Sequence, residues 1–313
     1  LANPLEADVA LSAIDVKQSN PDPAAAVKRL SSYVGEGAPE AQRDAVLPAY
    51  CQALIAAGRM DDAAALLQPR VAQGPRWRLV WLQLAGAPHK DADAASQWVA
   101  RIVPSIPAGA MAEQIALAQT WHQIGARFDS TAAYEKARDV LRTLLSRPNP
   151  PTGALAFSAL VADSLNDLPE SERMWRQYLA AQPTDPSAQN NLAYVLVREG
   201  GAPRLSEAEE LVKRAIATAP AVSTFYDTLA RVQVQAGKAG PAVLSFREAL
   251  ARDPHNVEAM IGLADVLQSN PAERGEARSL LTRVNAAIQG GPPLSAPIRK
   301  QLDRLKGALS ASL

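Results

Sequence analysis

The chain has 313 residues, 48% of them hydrophobic, and its 32 basic and 32 acidic residues cancel to zero net charge. A balanced charge produces no broad field that would attract nucleic acid or an anionic membrane, so we expect neither as a partner. The charge-free stretches are too short and too proline-rich for insertion into a membrane, and a single cysteine, Cys51, excludes an internal disulfide or a cysteine-based metal site.

The N-terminal part of the chain predicts helix pairs of uneven regularity. Residues 5–34 indicate one degenerate pair, interrupted at Asn20-Pro21-Asp22-Pro23, because two prolines within four residues end a helix. The next pair is clearer, with a turn at Gly58 and an end near Pro75. Its apolar and small residues recur at helical spacing: Leu47, Tyr50, Cys51, Leu54, Ala63 and Leu67.

A third pair begins at Trp81, which is followed at helical spacing by Leu84 and Ala85. Gly86 and Pro88 come early in this segment, and both residue types interrupt helices. We therefore predict a short first helix and a second helix from about residue 92 to residue 103.

A fourth pair is predicted over Met111–Ile124 and Thr131–Leu145, with a lengthened turn around Gly125–Ser130. The stretch Pro148-Asn149-Pro150-Pro151 follows this pair. It is interpreted either as a hinge or as an ordinary turn between repeats, and the turn is favoured because turns in helical arrays commonly carry proline.

The C-terminal half contains a sequence repeat. Its anchors are Leu192-Ala193, Leu229-Ala230 and Leu263-Ala264; the last two are 34 residues apart, and the first two are 37 apart because Gly201-Ala202-Pro203 is inserted. Each of the first two anchors is followed by a small residue and then by a proline, at Ala208 and Pro220 and again at Ala242 and Pro254. Small residues allow two helices to approach closely, and each proline ends the second helix.

This pattern resembles the tetratricopeptide repeat family, in particular bacterial proteins of that family. One repeat reads Tyr226-x2-Leu229-Ala230, then Ala242-x3-Phe246, then Pro254. Four repeats span residues 153–285, and a late Ala277 predicts a longer turn near Pro271. The resemblance implies an all-α, right-handed superhelical solenoid of about eight antiparallel helix pairs.

A capping helix is expected at the C-terminus. Gly290-Gly291-Pro292-Pro293 ends the last pair, and the segment that follows has apolar residues on one helical face: Ile298, Leu302, Leu305 and Leu309. A terminal repeat needs such a cover for its apolar side. The sequence thus predicts divergent helix pairs over 1–147, a regular array over 148–288 and a capping helix over 289–313.

No catalytic, cofactor or metal motif is evident. The three histidines, His89, His122 and His255, lack the spacing of a zinc site. There is no nucleophile elbow, phosphate-binding loop or dinucleotide-binding turn. We therefore expect a protein that is not an enzyme and that needs neither a cofactor nor a metal ion. The tryptophans fall on core positions of the repeats, where buried packing explains them.

The resemblance implies a binding surface on the concave face, which the first helices of successive repeats line in this family. The family's contact positions correspond here to a mixed polar set, which is the candidate partner-binding site: Asn190, Asn191, Tyr194, Arg198, Asp227, Arg231 and Gln235. We expect Tyr194, Arg198, Asp227 and Arg231 to converge in one stretch of the groove. Neither Tyr194 nor Arg231 is expected to be needed for the core. The lysine and asparagine pairs of the family's carboxylate clamp are missing at the matching positions.

The function expected from the sequence is a non-catalytic scaffold for protein interactions, binding a peptide or protein segment in the groove. Two alternatives remain open. One is a tetratricopeptide module of a bacterial cell-envelope or exopolysaccharide assembly, and the other is the regulatory arm of an enzyme whose catalytic domain lies elsewhere. Because the first residue is leucine and no secretory signal follows, we expect a processed chain or an excised segment.

Overall fold

The computed structural model describes residues 4–17, 21–35, 37–289 and 294–310. Within these ranges the secondary structure consists of α-helices and short 3-10 helices, and no β-strand is assigned. The helices are α1 (Pro4–Lys17), α2 (Pro23–Val34), α3 (Glu40–Ala56), α4 (Met60–Val71), α5 (Pro75–Gln83), α6 (Ala92–Ala100), α7 (Met111–Phe128), α8 (Thr131–Leu145), α9 (Thr152–Ser164), α10 (Leu168–Ala181), α11 (Pro186–Glu199), α12 (Ala202–Thr218), α13 (Ser223–Gln235), α14 (Ala239–Arg252), α15 (Val257–Leu267), α16 (Arg274–Ile288) and α17 (Ala296–Ser310). The first sixteen form eight consecutive pairs, and α17 follows them. The predicted class, an all-α array of helix pairs with a C-terminal capping helix, is confirmed.

The chain divides into two compact units, Leu1–Leu144 and Leu145–Leu313. We call them the N-terminal unit and the C-terminal unit; the last residue of α8 belongs to the second. The division into 1–147, 148–288 and 289–313 stays a prediction. Two predicted breaks, Asn20 and the segment Gly290-Gly291-Pro292-Pro293, lie outside the described residues.

A pair of tryptophans forms the centre of the third helix pair. The rings of Trp81 in α5 and Trp98 in α6 are stacked, with centroids 4.6 Å apart. Each indole Nε1 donates a hydrogen bond of 2.8 Å to the backbone carbonyl of the other tryptophan. Both residues are fully buried, so the reciprocal bonds satisfy polar groups that water cannot reach. The first helix of this pair is short, as predicted.

Two boundaries in the N-terminal unit differ from the sequence predictions. The helix α7 does not end at Ile124 but continues to Phe128, so the predicted turn over Gly125–Ser130 is wrong for most of its length. A Cβ on Gly125 would lie 2.6 Å from the Tyr134 ring, which shows that this glycine is present for close helix packing. The helix α6 ends at Ala100 instead of residue 103, and a short 3-10 helix occupies Val103–Ser105.

The C-terminal unit has the contact pattern of a solenoid. Each helix from α9 to α16 packs against the next one along the chain, and α11, α13 and α15 also pack against one another in succession. The predicted small-residue seams are confirmed because their alanines are fully buried: Ala193, Ala208, Ala230, Ala242, Ala264 and Ala277. The predicted longer turn near Pro271 is a 3-10 helix over Pro271–Glu273.

Local signals in the sequence position the first helices of these pairs. The carboxylate of Asp185 accepts hydrogen bonds from the backbone N–H groups of Ser187 and Ala188, and Pro186 occupies the first turn of α11. Asn256 caps α15 in the same manner. Side chains of this kind satisfy N–H groups that the helix itself leaves unpaired. After α11, Gly200 and Gly201 have φ angles of 76° and 93°, a conformation that glycine adopts readily.

The last helix, α17, closes the apolar end of the array. Four of its side chains are buried in one core with α15 and α16: Ile298, Leu302, Leu305 and Leu309. It packs chiefly against α15, the first helix of the last pair, and to a smaller extent against α16. The helix α17 therefore stands beside α15 where it can border the surface formed by the first helices.

Candidate partner-binding groove

A cavity of about 520 Å³ lies among α11, α13, α15 and α17 of the C-terminal unit. We call it the groove cavity. Its lining comprises Tyr194, Val197, Arg198, Arg231, Val234, Gln235, Phe246, Gly262, Asp265, Val266, Pro297, Ile298, Lys300, Gln301 and Arg304. Arg231 and Asp265 are 34 residues apart, and Tyr194 and Arg231 are 37 apart across the three-residue insertion. The repeat register thus places these three side chains at one position of successive first helices.

Arg231 is the central charge of the cavity, and it is held by internal partners. Its Nε donates a hydrogen bond of 2.8 Å to Asp227 one helical turn earlier. Its terminal nitrogens donate to the side-chain oxygen of Gln301 at 3.3 Å and to the backbone carbonyl of Glu258 at 3.2 Å. Burial acts to lower the pKa of Arg231, but the Asp227 carboxylate outweighs burial and raises it. The guanidinium therefore stays charged and connects α13 to α15 and α17.

Arg198 also lines the cavity. It forms an ion pair with Asp163 of α9 and donates a hydrogen bond of 2.6 Å to the side-chain oxygen of Asn166. Its guanidinium also lies 5.6 Å from the centre of the Tyr194 ring. Burial raises the pKa of Tyr194, so its phenol remains a neutral hydroxyl at pH 7. Burial likewise raises the pKa of Asp163, although Arg198 opposes that shift.

Asp265 anchors the C-terminal helix at the cavity. Its carboxylate accepts hydrogen bonds from Gln268 at 2.7 Å, from Gln301 at 2.8 Å and from Arg304 at 2.6 Å. Two of these donors belong to α17. The acceptor capacity of this carboxylate is therefore largely used within the protein, and α17 is fixed as a wall of the cavity.

The structure brings four of the seven sequence-predicted site residues to the cavity lining, namely Tyr194, Arg198, Arg231 and Gln235. Asp227 is only 4% exposed and lies behind Arg231 as its ion-pair partner. Asn190 is buried and Asn191 is partly exposed, and neither lines the cavity. The expectation that Arg231 is not needed for the core is wrong, because its guanidinium connects three helices and is paired with a buried carboxylate.

Sequence reasoning missed the contribution of α17 to this site. Lys300 and Arg304 are exposed to solvent, and both line the cavity together with Gln301. Their spacing of four residues places Lys300 and Arg304 on one helical face, but only the docking of α17 against α15 reveals what that face borders. Asp265 was also missed, although the repeat register aligns it with Tyr194 and Arg231.

Of the groups considered for metal binding or reactivity, His89 and Cys51 are buried, His122 is partly buried and His255 is exposed. The Nε2 of His89 donates a hydrogen bond of 3.1 Å to the Leu84 carbonyl, and the His122 ring packs against Tyr134. Burial lowers the pKa of both histidines. Burial raises the pKa of the Cys51 thiol to about 12. Within residues 4–17, 21–35, 37–289 and 294–310 there is no cluster of three potential metal ligands.

None of the described helices is long and apolar enough to cross a membrane. The longest, α7, contains Glu113 and Arg127 and carries buried residues that pack within the protein.

Comparison with known proteins yields one match in sequence. A TPR repeat-containing protein of Pseudomonas aeruginosa is 30% identical over 129 residues, which are 41% of this chain and 22% of the relative. The chain thus spans about a fifth of the length of that protein. No family model matches the chain. Together with the succession of helix pairs, this sequence match confirms the resemblance to tetratricopeptide repeat proteins.

Solved structures of repeat proteins are similar at a coarser level. MamA from Desulfovibrio magneticus superposes with a TM-score of 0.44 at 16% identity, covering 57% of this chain and 98% of MamA. The Thermobaculum terrenum O-GlcNAc transferase gives a TM-score of 0.40 at 24% identity, covering 43% of this chain and 26% of the transferase. Similarity of this degree supports no statement about a partner or an activity.

Proposed function

We propose that this protein is a non-catalytic scaffold that binds a segment of another protein in the groove cavity of its C-terminal unit. The observation that carries the proposal is the unused binding capacity of that cavity. Val234 is 40% exposed there, and Gln235 beside it is exposed as well. An apolar surface next to polar groups that still lack partners is the usual composition of a recognition site.

The polar groups of the lining divide into two sets. Arg231 and Asp265 are engaged in hydrogen bonds inside the protein. In the part of the chain that the structure describes, no acceptor or donor is assigned to the Tyr194 hydroxyl, the Gln235 amide or the Lys300 ammonium. An extended peptide presents both N–H and C=O groups, and these three side chains offer matching hydrogen bonds.

The size of the cavity is consistent with recognition of a short segment. Binding pockets commonly measure about 300–1,000 Å³, and the volume here is about 520 Å³. The site is built on helices that are fixed by the repeat core, so little order has to be gained when a partner binds.

The proposal is tested by a matched pair of polar substitutions, Val234→Asn and Leu244→Asn. Val234 lies in α13 within the cavity, whereas Leu244 lies in α14 of the same repeat, is 65% exposed and is outside the lining. Neither change alters a charge. We expect Val234→Asn to weaken binding of the natural partner about tenfold, or 1.4 kcal/mol, and Leu244→Asn to leave it unchanged.

The assay compares the proteins that wild type and the two variants retain from a cell extract, followed by titration of the retained protein. A partner lost with Val234→Asn and kept with Leu244→Asn supports the groove. A partner that all three retain equally contradicts the proposal and places binding on another surface.

A further inference from the structure

We infer that α17 completes the binding site and gives it a preference for an acidic partner: an extended segment of another protein with an apolar side chain flanked by carboxylates. The inference rests on the proposed function, because it concerns the chemistry of the ligand that occupies the same cavity. Three observations carry it: the sign of the lining charges, the hydrogen-bond groups without partners in the protein, and the apolar residues of the same lining.

The charges that line the cavity are mostly positive. Four are basic, Arg198, Arg231, Lys300 and Arg304, and one, Asp265, is acidic. The net charge of the whole chain is zero, so the excess of positive residues is a local property of the cavity lining. Two of the four basic residues belong to α17, which therefore supplies half of the positive charge.

The basic residues differ in how far internal partners neutralise them. Arg198 and Arg231 are paired with Asp163 and Asp227 and are mostly shielded from solvent. Arg304 contacts Asp265, but 69% of its side chain is exposed. A guanidinium has five N–H donors, and the structure shows one hydrogen bond from Arg304, so donors remain for a ligand.

Lys300 is the least compensated charge of the lining. It is exposed, and within the described ranges its ammonium is assigned no hydrogen bond or ion pair. The only carboxylate of the lining, that of Asp265, already accepts three hydrogen bonds. The remaining polar capacity is therefore rich in donors, and carboxylates are the acceptors that give the strongest bonds to such donors.

Apolar residues share the cavity lining with these cations. Val197 and Val234 come from successive first helices, Val266 comes from α15 and Ile298 comes from α17. Val234 is accessible and Val266 is partly so. A ligand that places an aliphatic side chain here and carboxylates toward Lys300 and Arg304 satisfies both parts of the surface, whereas a basic segment would bring like charges together.

The test uses two fluorescein-labelled peptides of nine residues, each with two central leucines, flanked by glutamates in one and by lysines in the other. Binding to the full chain is measured by fluorescence anisotropy at low and high salt. We expect the glutamate peptide to bind at least tenfold more tightly. We also expect its affinity to fall with added salt, because exposed charges are screened.

Two charge reversals on α17 provide the matched comparison. Lys300→Glu changes a residue of the lining, and Lys306→Glu makes the same change on the same helix outside the lining. Neither lysine is ion-paired within the described residues, so both variants should fold normally. We expect Lys300→Glu to weaken binding of the glutamate peptide at least threefold and Lys306→Glu to leave that affinity unchanged. Equal effects of the two variants overturn the inference.

The failure of this inference is distinguishable from the failure of the proposed function. If the two peptides bind with equal affinity and Val234→Asn weakens the binding of both, the groove cavity is the binding site and the inferred preference for an acidic partner is wrong. If the glutamate peptide is preferred and Val234→Asn leaves it unchanged, the charge preference belongs to another surface, which overturns both the groove site and this inference.

Discussion

The packing of Gly262 against Phe246 allows a quantitative test of the repeat core. Gly262 lies within α15, and a Cβ at this position would lie 2.4 Å from two carbons of the Phe246 ring. Carbon atoms normally approach to about 3.5–4.0 Å, so Gly262→Ala forces a displacement of about 1 Å or more. Phe246 is 1% exposed and fully packed, which makes the displacement costly.

Two opposing effects determine the size of the change. Overpacking a core costs about 1–3 kcal/mol, whereas alanine is better than glycine inside a helix by about 1 kcal/mol. We therefore expect Gly262→Ala to lower the free energy of unfolding by about 1 kcal/mol relative to wild type. In a unit of this size, this corresponds to a decrease in Tm of about 2–4 °C.

The matched control is Gly307→Ala in α17, where no atom lies within 4 Å of the added Cβ. This variant keeps only the gain in helix propensity, so its stability should rise by up to about 1 kcal/mol. Urea denaturation monitored by circular dichroism measures both variants. If Gly262→Ala stabilises the protein as much as Gly307→Ala does, the described contact between Gly262 and Phe246 is incorrect.

Three further predictions concern other described contacts. Arg231→Ala leaves the buried carboxylate of Asp227 without its ion-pair partner, so thermal unfolding should show a loss of about 3–5 kcal/mol; a loss below 1 kcal/mol would contradict the described burial. Trp81→Phe removes the Nε1 donor to the Trp98 carbonyl, and we expect a loss of about 1–3 kcal/mol in urea denaturation; unchanged stability would mean that this bond contributes nothing. The raised pKa of Cys51, about 12, keeps the thiol protonated at pH 8, so a thiol reagent should label the protein only after denaturation; rapid labelling of the native protein would refute the burial.

The repeat register predicted the core of the C-terminal unit well because its signal is local and periodic. Ala230 and Ala242, for example, are fully buried at the positions that the 34-residue spacing assigns. The same register aligned Tyr194 with Arg231, and both side chains line the cavity. Periodicity identifies the face of a helix on which a residue lies, and this information is sufficient to predict which residues are buried in the core.

The repeat register could not predict which polar side chains form hydrogen bonds within the protein. Arg231 contacts Gln301, which is 70 residues further along the chain. That contact depends on how α17 docks, and no repeat pattern extends to α17. The turn predicted at Gly125 failed for a different reason: glycine ends helices in general, but here it provides room for the Tyr134 ring. In both cases the deciding contact joins two helices and is not encoded in the pattern of either helix alone.

The distribution of tryptophan gives the two units different optical properties. Trp77, Trp81, Trp98 and Trp121 belong to the N-terminal unit, and Trp175 belongs to the C-terminal unit. The stacked indoles of Trp81 and Trp98, 4.6 Å apart, are close enough for their electronic transitions to couple, so near-ultraviolet circular dichroism reports on the N-terminal unit. In a Trp175→Phe protein, tryptophan fluorescence comes from the N-terminal unit alone, so the unfolding of that unit can be followed without an added label.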